Sequence, residues 1–131
     1  MAVVDASVWV SLFTWTDKFH QQAKDIIRPL TSNREVIRIP AIAFSEVAGV
    51  IKRTTRDSGA AEEAVNYMKN LGLEVLVDFG ELEPLATKIA IKHSVKGADA
   101  CYLAVAEMTR SHLHTFDKQQ QEAFDAIRAA W

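Results

Sequence analysis

The sequence predicts an α/β fold in which helices cover both faces of a parallel sheet. Short apolar runs typical of buried strands alternate with longer segments of helical periodicity, and this alternation is typical of parallel strands joined by helices. The first run, Val3 and Val4, is short and β-branched, as expected for a strand covered on both faces. The chain has no linker, repeat or low-complexity segment, so 1–131 is predicted to form one domain.

Composition excludes several classes of protein. The 15 basic and 17 acidic residues give a formal net charge of −2, so a uniformly basic nucleic-acid-binding surface is excluded, although a local basic patch stays possible. The single cysteine, Cys101, excludes an internal disulfide and is interpreted as a structural thiol in a helix. Neither a membrane-spanning run nor a signal peptide is visible, and we expect a cytoplasmic protein.

The elements follow from local signals. Strands are predicted at 3–4, 36–39, 73–77 and 112–116, and helices at 18–28, 41–56, 60–70, 81–93, 98–109 and 119–131, with a short amphipathic segment rich in aromatic residues at 7–15. Asp17 is a plausible N-cap, Pro29 is expected to end the second helix, and Pro40 to lead into the third. Ser58 and Gly59 are expected to break the chain, whereas Gly72 lies where a C-cap glycine belongs.

Four acidic residues differ from the others, which lie on polar helix faces. Asp5 and Asp117 directly follow predicted strands, Asp99 begins a helix, and Glu46 interrupts an apolar helix face where an unpaired carboxylate is costly. Simpler interpretations exist. Asp5, together with Ser7, and Asp99 could only cap helices, and Asp117 could be a turn or cap residue.

Taken together, the four acids predict a metal site. The carboxyl ends of parallel strands share one edge of the sheet, and right-handed crossovers would bring Glu46 and Asp99 to that edge. Two like charges ~4 Å apart cost about 4 kcal/mol at an effective dielectric constant of 20. Such a cluster therefore needs cations, and ligands that are all oxygen favour Mg²⁺ or Mn²⁺ over zinc. The four histidines are scattered, and His112 and His114 are interpreted as ordinary strand residues.

Four short motifs support a resemblance that spans the whole chain. They are Val-Val-Asp-Ala-Ser-Val-Trp-Val at 3–10, Glu46 in a helix led by proline, Gly-Ala-Asp-Ala-Cys-Tyr-Leu-Ala-Val-Ala at 97–106, and Thr-Phe-Asp at 115–117. In this order and spacing they resemble a PIN domain of the VapC type, a family of prokaryotic toxin ribonucleases. The resemblance implies a three-layer α/β/α sandwich with a central, mainly parallel sheet of four to five strands.

The resemblance also implies roles for individual residues. Asp5, Glu46, Asp99 and Asp117 match the family's catalytic, metal-binding acids, and Ser7 and Thr115 match the hydroxyls that support them. Asp5, Asp99 and Asp117 would be the main ligands, and Glu46 would hold a water bound to the metal. A homodimer and an inhibitory antitoxin protein are implied as partners. Two departures are visible: the chain ends in a predicted helix where the family commonly adds a strand, and Ala6 replaces a common hydroxyl residue.

Two further groups are candidates for binding. Lys52, Arg53, Arg56 and Lys118 could contact RNA phosphates, or they could be solvated cations near helix ends. Trp9, Phe13 and Trp15 could form a groove for a partner helix, or they could belong to the core.

The predicted function is hydrolysis of RNA phosphodiester bonds by an endoribonuclease that depends on Mg²⁺ or Mn²⁺, acting as the toxin of a toxin–antitoxin pair. One alternative is a PIN scaffold that binds RNA or protein without cutting. Another is a phosphotransfer domain, which also places an Asp after its first strand; however, Ser7 stands where a haloacid dehalogenase has a second Asp.

Overall fold

A computed structural model describes residues 1–77 and 80–131 and contains a four-stranded sheet in which every pairing is parallel. The strands β1 (Ala2–Val4), β2 (Ile37–Pro40), β3 (Glu74–Leu76) and β4 (His112–His114) lie in the order β3-β2-β1-β4. The described residues also form seven helices, α1 (Ala6–Phe13), α2 (His20–Ser32), α3 (Ala43–Thr55), α4 (Ser58–Asn70), α5 (Leu82–His93), α6 (Gly97–Thr109) and α7 (Lys118–Ala129). The predicted α/β/α architecture with a parallel sheet is confirmed.

The core is centred on β1 and α6. All three residues of β1 are buried, as expected for a central strand covered on both faces. Residues 102–106 of α6 are consecutively buried, which explains why this helix has no polar face along that stretch. α6 packs against β1, β2 and β4, while α5 and α7 pack against α6. This packing therefore fixes the position of the first turn of α6 relative to the sheet.

The strand order places a crevice between β1 and β4. The chain adds β2 and then β3 on one side of β1, and β4 is added on the other side. In open α/β sheets this switch point, at the carboxyl ends of the strands, is where functional crevices form. The register pairs Val4 with His114, so the residues that follow the two strands, Asp5 and Thr115, leave the sheet side by side.

The predicted end of the second helix is wrong. α2 begins at His20, runs through Pro29 and ends at Ser32. Pro29 removes a single helical hydrogen bond, to the carbonyl of the exposed residue Asp25. A side-chain hydroxyl stabilises the last turn instead: Thr31 Oγ1 donates to the Ile27 carbonyl at 3.1 Å. A proline this close to the end of a helix costs too little to stop it.

The predicted break at Ser58 and Gly59 is also wrong, because both residues belong to the first turn of α4. The Asp57 carboxylate caps this helix by accepting from the backbone N–H groups of Gly59 at 2.9 Å and Ala60 at 3.3 Å. Gly72, just after α4, has a φ of +71°, as predicted for a glycine near the end of a helix.

The carboxyl-terminal segment is helical, as predicted, and no fifth strand is present among the described residues. Trp131 packs edge-on against Phe124, with the ring centroids 5.9 Å apart, and the Arg110 guanidinium lies 5.3 Å from its ring centre. These contacts anchor the end of the chain on α7. None of the helices in the described ranges is long and apolar enough to cross a membrane. Cys101 lies in α6, as predicted, but it is half-buried rather than fully buried.

Candidate active site

The four acids singled out by sequence line one cavity of about 260 Å³. Asp5 follows β1, Asp117 lies three residues beyond β4, and Glu46 and Asp99 lie in the first turns of α3 and α6. The structure therefore brings together residues that are up to 112 positions apart in sequence, from 5 to 117. Their catalytic and metal-binding roles stay predictions. The remaining residues that line the cavity are Ala6, Ser7, Val10, Val50, Lys96 and Ala98.

Asp5 is the most buried of the four, at 4 % exposure, and it both caps a helix and faces the cavity. Its Oδ2 accepts from the backbone N–H of Ser7 at 3.1 Å, which makes it the N-cap of α1. The interpretation of Asp5 as a cap and its interpretation as a site residue are thus compatible. The cap fixes the direction of the carboxylate, because one of its oxygens is bound to the backbone.

The hydroxyls of Ser7 and Thr115 join the two strand ends. Thr115 Oγ1 lies 3.2 Å from Asp5 Oδ2, and the two hydroxyl oxygens are 3.4 Å apart. Ser7 Oγ accepts from the backbone N–H of Phe116 at 3.1 Å, and Thr115 Oγ1 accepts from that of Asp117 at 3.0 Å. These contacts are consistent with the supporting role that the resemblance implies for both hydroxyls.

Asp117 is exposed and caps α7, since its Oδ1 accepts from the backbone N–H of Gln120 at 2.8 Å. Asp99 behaves differently. The residue preceding α6 is Lys96, and no side chain caps this helix, so the interpretation of Asp99 as a cap is wrong. With no helix end to satisfy, the carboxylate of Asp99 is left facing the cavity and the other acids.

Electrostatics in the cavity oppose the ionised forms of two acids. Burial, followed by the charges of Asp5, Asp117 and Glu46, raises the pKa of Asp99 to about 6, and only Lys96 acts in the opposite direction. Burial also raises the pKa of Glu46, with a smaller contribution from Asp5. Clusters of like charge with raised pKa values are characteristic of functional sites. Such a cluster destabilises the folded protein, so a purely structural role does not explain it.

Glu46 has a partner that sequence reasoning missed. The hydroxyl of Tyr102, a fully buried residue of α6, donates to Glu46 Oε1 at 2.8 Å. This bond lowers the pKa of Glu46 against the effect of burial, whereas burial and the neighbouring carboxylates raise the pKa of Tyr102, which stays protonated and donates. The position of Tyr102, one helical turn after Asp99, was the available signal; a tyrosine hydroxyl in a buried helix needs a polar partner.

Two more residues of the site were missed. Lys96 lines the cavity and is the cation nearest in sequence to Asp99. Gln120 is fully buried, and its amide nitrogen lies 3.3 Å from Asp5 Oδ1. A buried glutamine is unusual enough to indicate a polar network, but the sequence places it in a run of three glutamines and does not show which one is buried.

The predicted RNA-binding cations are exposed, and none of them lines the cavity. Arg53 lies on α3 seven residues after Glu46, which places the two on the same helix face. Lys52 donates to Ser58 Oγ at 3.0 Å, and Arg56 caps α3 with a left-handed backbone, at a φ of 56°. Lys118 follows Asp117 directly as the first residue of α7. Arg53 and Lys118 are therefore better placed to reach a ligand in the cavity than Lys52 or Arg56.

The predicted partner groove is wrong for Trp9. This residue is fully buried, and its Nε1 donates to the Val4 carbonyl at 3.1 Å, so it belongs to the core. Phe13 stacks on Trp9 with 6.4 Å between ring centroids and is half-buried. Of these three residues, Trp15 is the exposed one, at 80 %. Spacing along an amphipathic segment cannot show which of its aromatic residues the core will take.

The donor set of the cavity fits a hard divalent cation. All four acids offer oxygen atoms, and a bound cation would offset the burial and the like charges that raise the pKa of Asp99. Within 1–77 and 80–131, no three carboxylate, imidazole or thiolate groups are close enough to enclose an ion by themselves. Mg²⁺ does not require such a cage, because it usually retains several waters and binds through one or two carboxylates together with substrate phosphates. The chemistry of the site therefore suits Mg²⁺ or Mn²⁺.

The family follows from comparison with known proteins. Residues 2–126 match the family model described as the PIN domain. The chain belongs to the PIN domain family. Ribonuclease VapC3 of Pyrobaculum aerophilum is 28 % identical to this PIN domain over 130 residues, which cover 95 % of both chains.

Two crystal structures share the PIN fold. VapC20 of Mycobacterium tuberculosis, described as a toxin that cleaves the sarcin-ricin loop, has a TM-score of 0.79 at 23 % identity, covering 94 % of this chain and 95 % of its own. PAE2754 of Pyrobaculum aerophilum has a TM-score of 0.68 at 21 % identity, covering 98 % of this chain and 87 % of its own. At these identities the structures support the fold alone.

Proposed function

We propose that this PIN domain is an endoribonuclease that hydrolyses RNA phosphodiester bonds with Mg²⁺ or Mn²⁺ and acts in the cytoplasm as the toxin of a toxin–antitoxin pair. The observation that carries the proposal is the convergence of Asp5, Glu46, Asp99 and Asp117 on one cavity at the switch point of the sheet. The name of the curated relative, a ribonuclease of the VapC type, supports RNA as the substrate class. Membership of the PIN family removes the phosphotransfer alternative.

In the proposed mechanism, the metal would bind through one or two of the Asp5, Asp99 and Asp117 carboxylates, together with waters and a substrate phosphate, and Glu46 would orient a water molecule. When bound, the metal supplies the acidity that activates the attacking water and the positive charge that stabilises the phosphate. Asp99, with a pKa of about 6, is ionised at neutral pH and able to serve as a ligand. The hydrogen bond from Tyr102 holds Glu46 Oε1 in place, so the other oxygen of Glu46 can face the cavity. Ser7 and Thr115 keep Asp5 and Asp117 at the meeting point of the two strands.

The RNA backbone would be bound by cations around this acidic cavity. Lys96 lines the cavity, and Arg53 and Lys118 lie on the elements that carry Glu46 and Asp117. Lys52 and Arg56, at the far end of α3, would contact phosphates further from the scissile bond. Contacts of this kind make binding weaken as salt rises, because the release of counterions from the phosphates on binding gains less free energy in concentrated salt.

The proposed protein partners are an antitoxin and a second copy of the chain. Trp15 is the exposed aromatic residue of the predicted partner-binding segment, and it offers apolar area to an antitoxin helix. For the homodimer, a second, mostly apolar cavity of about 660 Å³ lies between the end of β2 and helices α5 and α6. Ile42 and Ile91 on its rim are 40 % and 77 % exposed, which is unusual for isoleucine unless another surface covers them.

The function is tested by incubating the purified chain with mixed RNA and Mn²⁺, with and without a chelator. We expect cleavage that the chelator abolishes, and we expect Asp5→Asn to abolish it as well, because Asn retains the N-cap but removes the charge that holds a cation. Asp125→Asn is the matched control, since Asp125 is an exposed residue of α7 that accepts only from Gln121 Nε2. Cleavage by Asp5→Asn at the wild-type rate would overturn the proposal.

A non-cleaving PIN module that binds RNA or protein is the second candidate. It is favoured by the present spacing of the carboxylates, of which no three within 1–77 and 80–131 enclose an ion. RNA binding that is sensitive to salt but independent of Mn²⁺, with no cleavage product, would select this candidate. Growth arrest on expression, relieved by Asp99→Asn, would instead select the toxin.

A further inference from the structure

Three consecutive glutamines, 119–121, begin α7, and only the middle one is buried. Gln119 Nε2 donates to the Ser94 carbonyl at 2.8 Å, and Gln121 Nε2 donates to Asp125 Oδ1, one turn along the helix, at 2.9 Å. Gln120 is 0 % exposed and points into the site instead. The three side chains are chemically identical, so their different surroundings allow the function of the middle one to be isolated.

The amide of Gln120 bridges three parts of the site. Its Nε2 lies 3.3 Å from Asp5 Oδ1 and 3.3 Å from the backbone carbonyl of Asp99, and its Oε1 accepts from Thr115 Oγ1 at 2.7 Å. An amide nitrogen has two hydrogens and an amide oxygen has none, so each atom of this group faces the partner that it can satisfy. The reversed amide would place its oxygen against two other oxygens and would be repelled.

Among the residues that the structure describes, Gln120 is also the one that donates to Asp5 Oδ1. The Ser7 N–H donates to Oδ2 instead, and the Thr115 hydroxyl oxygen lies 3.2 Å from Oδ2 while its single hydrogen goes to the nearer Gln120 Oε1. In addition, the backbone N–H of Gln120 donates to Asp117 Oδ1 at 2.8 Å. One residue thus contacts the carboxylates of Asp5 and Asp117 and the backbone of Asp99, three of the four acids that line the cavity.

We propose that Gln120 is a positioning residue that orients the Asp5 carboxylate and fixes its separation from the first turn of α6, and so sets the affinity of the site for a divalent cation. The proposal rests on the metal-dependent function proposed above. A neutral amide suits this position for a physical reason. It supplies donors to two oxygens without adding charge, whereas a glutamate would add a fifth negative charge and an apolar residue would leave Oδ1 without this donor.

The test is a calorimetric titration of the RNA-free protein with Mn²⁺, comparing wild type, Gln120→Met and Gln121→Met. Methionine keeps the length of the side chain and removes its hydrogen bonds in both variants. Loss of a group that orients a metal ligand typically lowers metal affinity about 10–100-fold, and we expect a loss in this range for Gln120→Met. Gln121→Met is expected to match wild type, because it loses only an exposed contact within α7.

Kinetics provide a second measurement. In RNA cleavage, Gln120→Met should require about 10–100-fold more Mn²⁺ for half-maximal rate, in proportion to its weaker binding. Its KM for RNA should stay unchanged, and saturating Mn²⁺ should restore most of the wild-type rate. A loss of rate that saturating Mn²⁺ does not restore, with unchanged Mn²⁺ affinity, would indicate a different role and overturn the proposal.

Gln120→Asn covers the case in which Gln120→Met does not fold. Its amide is retained but lies one methylene further from Asp5, so its Mn²⁺ affinity should also fall, whereas a wild-type affinity would overturn the proposal.

The outcomes separate the two proposals. A wild-type chain that takes up no Mn²⁺ overturns the metal-dependent function and this inference with it. A wild type that binds Mn²⁺ no more tightly than Gln120→Met overturns the positioning role alone.

Discussion

At the amino-terminal side of the sheet, opposite charges are paired. The amino terminus lies 2.7 Å from a Glu35 oxygen, and Arg38 Nε lies 3.0 Å from Glu74 Oε1. At the carboxyl-terminal edge, four carboxylates share one cavity with a single lining cation, Lys96, and the contacts to Asp5 and Glu46 come from neutral donors. The first arrangement lowers electrostatic energy, and the second raises it. Of the two regions compared, the carboxyl-terminal edge is the one that concentrates like charge, as a site that binds a cation would require.

The largest effect is expected from Tyr102→Phe, which removes the neutral donor of Glu46 and leaves its ring in the core. We expect cleavage to fall about 10–100-fold, because Glu46 Oε1 loses the bond that orients it. The same bond lowers the pKa of Glu46, so its loss should move the acid limb of the rate profile to higher pH. A rate profile over pH 5–8 measures both effects. The control is Tyr67→Phe, because Tyr67 is an exposed residue of α4. An unshifted acid limb in Tyr102→Phe would contradict the role of the bond.

A smaller effect, on stability, is expected from Asp99→Asn in buffer without divalent ions. In the unfolded chain Asp99 ionises near its ordinary pKa of 3.8, and in the folded chain its pKa is about 6. Folding stability that depends on the protonated acid is therefore present below pH 3.8 and is lost as pH rises to about 6. Asp99→Asn escapes this loss and should be more stable than wild type by about 1–2 kcal/mol above pH 6, with the difference fading towards pH 4.

Urea unfolding at several pH values measures this difference. Burial lowers the pKa of His114 to about 4, so this histidine costs stability as pH falls below 6.5, but it does so in both proteins and cancels in the comparison. Asp125→Asn should show no such gain. Added Mn²⁺ should reverse the order, because a ligand stabilises the protein that binds it more tightly. A stability difference that is constant from pH 4 to pH 8 would contradict the electrostatic origin.

The smallest effect is expected on the paired side of the sheet. Arg38→Met breaks the ion pair with the half-exposed Glu74 and a 3.4 Å bond to Ser111 Oγ. An exposed or half-exposed pair contributes little, so we expect a loss of about 0.5–1 kcal/mol in unfolding free energy and an unchanged cleavage rate. Glu74→Gln, measured in the same way, should lose no more than Arg38→Met. Loss of cleavage in Arg38→Met would contradict the conclusion that the paired side of the sheet does not contribute to cleavage.

Much of the fold could be predicted from the sequence because its signals are local. Alternating strands and helices predicted the parallel sheet, and Gly72 marked the end of α4. The failures at Pro29 and at Ser58 have one cause. The rules for proline and glycine describe average costs, whereas the hydroxyl of Thr31 and the carboxylate of Asp57 supply compensating bonds at these particular helix ends.

The sequence by itself determined the kind of chemistry, through the acids at strand ends and in first turns of helices, since an element fixes where its own residues lie. Only the tertiary structure decided which neutral groups hold those acids. In the tertiary structure, Tyr102 donates to Glu46, and the middle one of three consecutive glutamines contacts Asp5. Trp9 lies in the core and not in a groove. The physical reason is that a local pattern sets the direction of a side chain relative to its own helix, whereas its partner comes from an element distant in sequence.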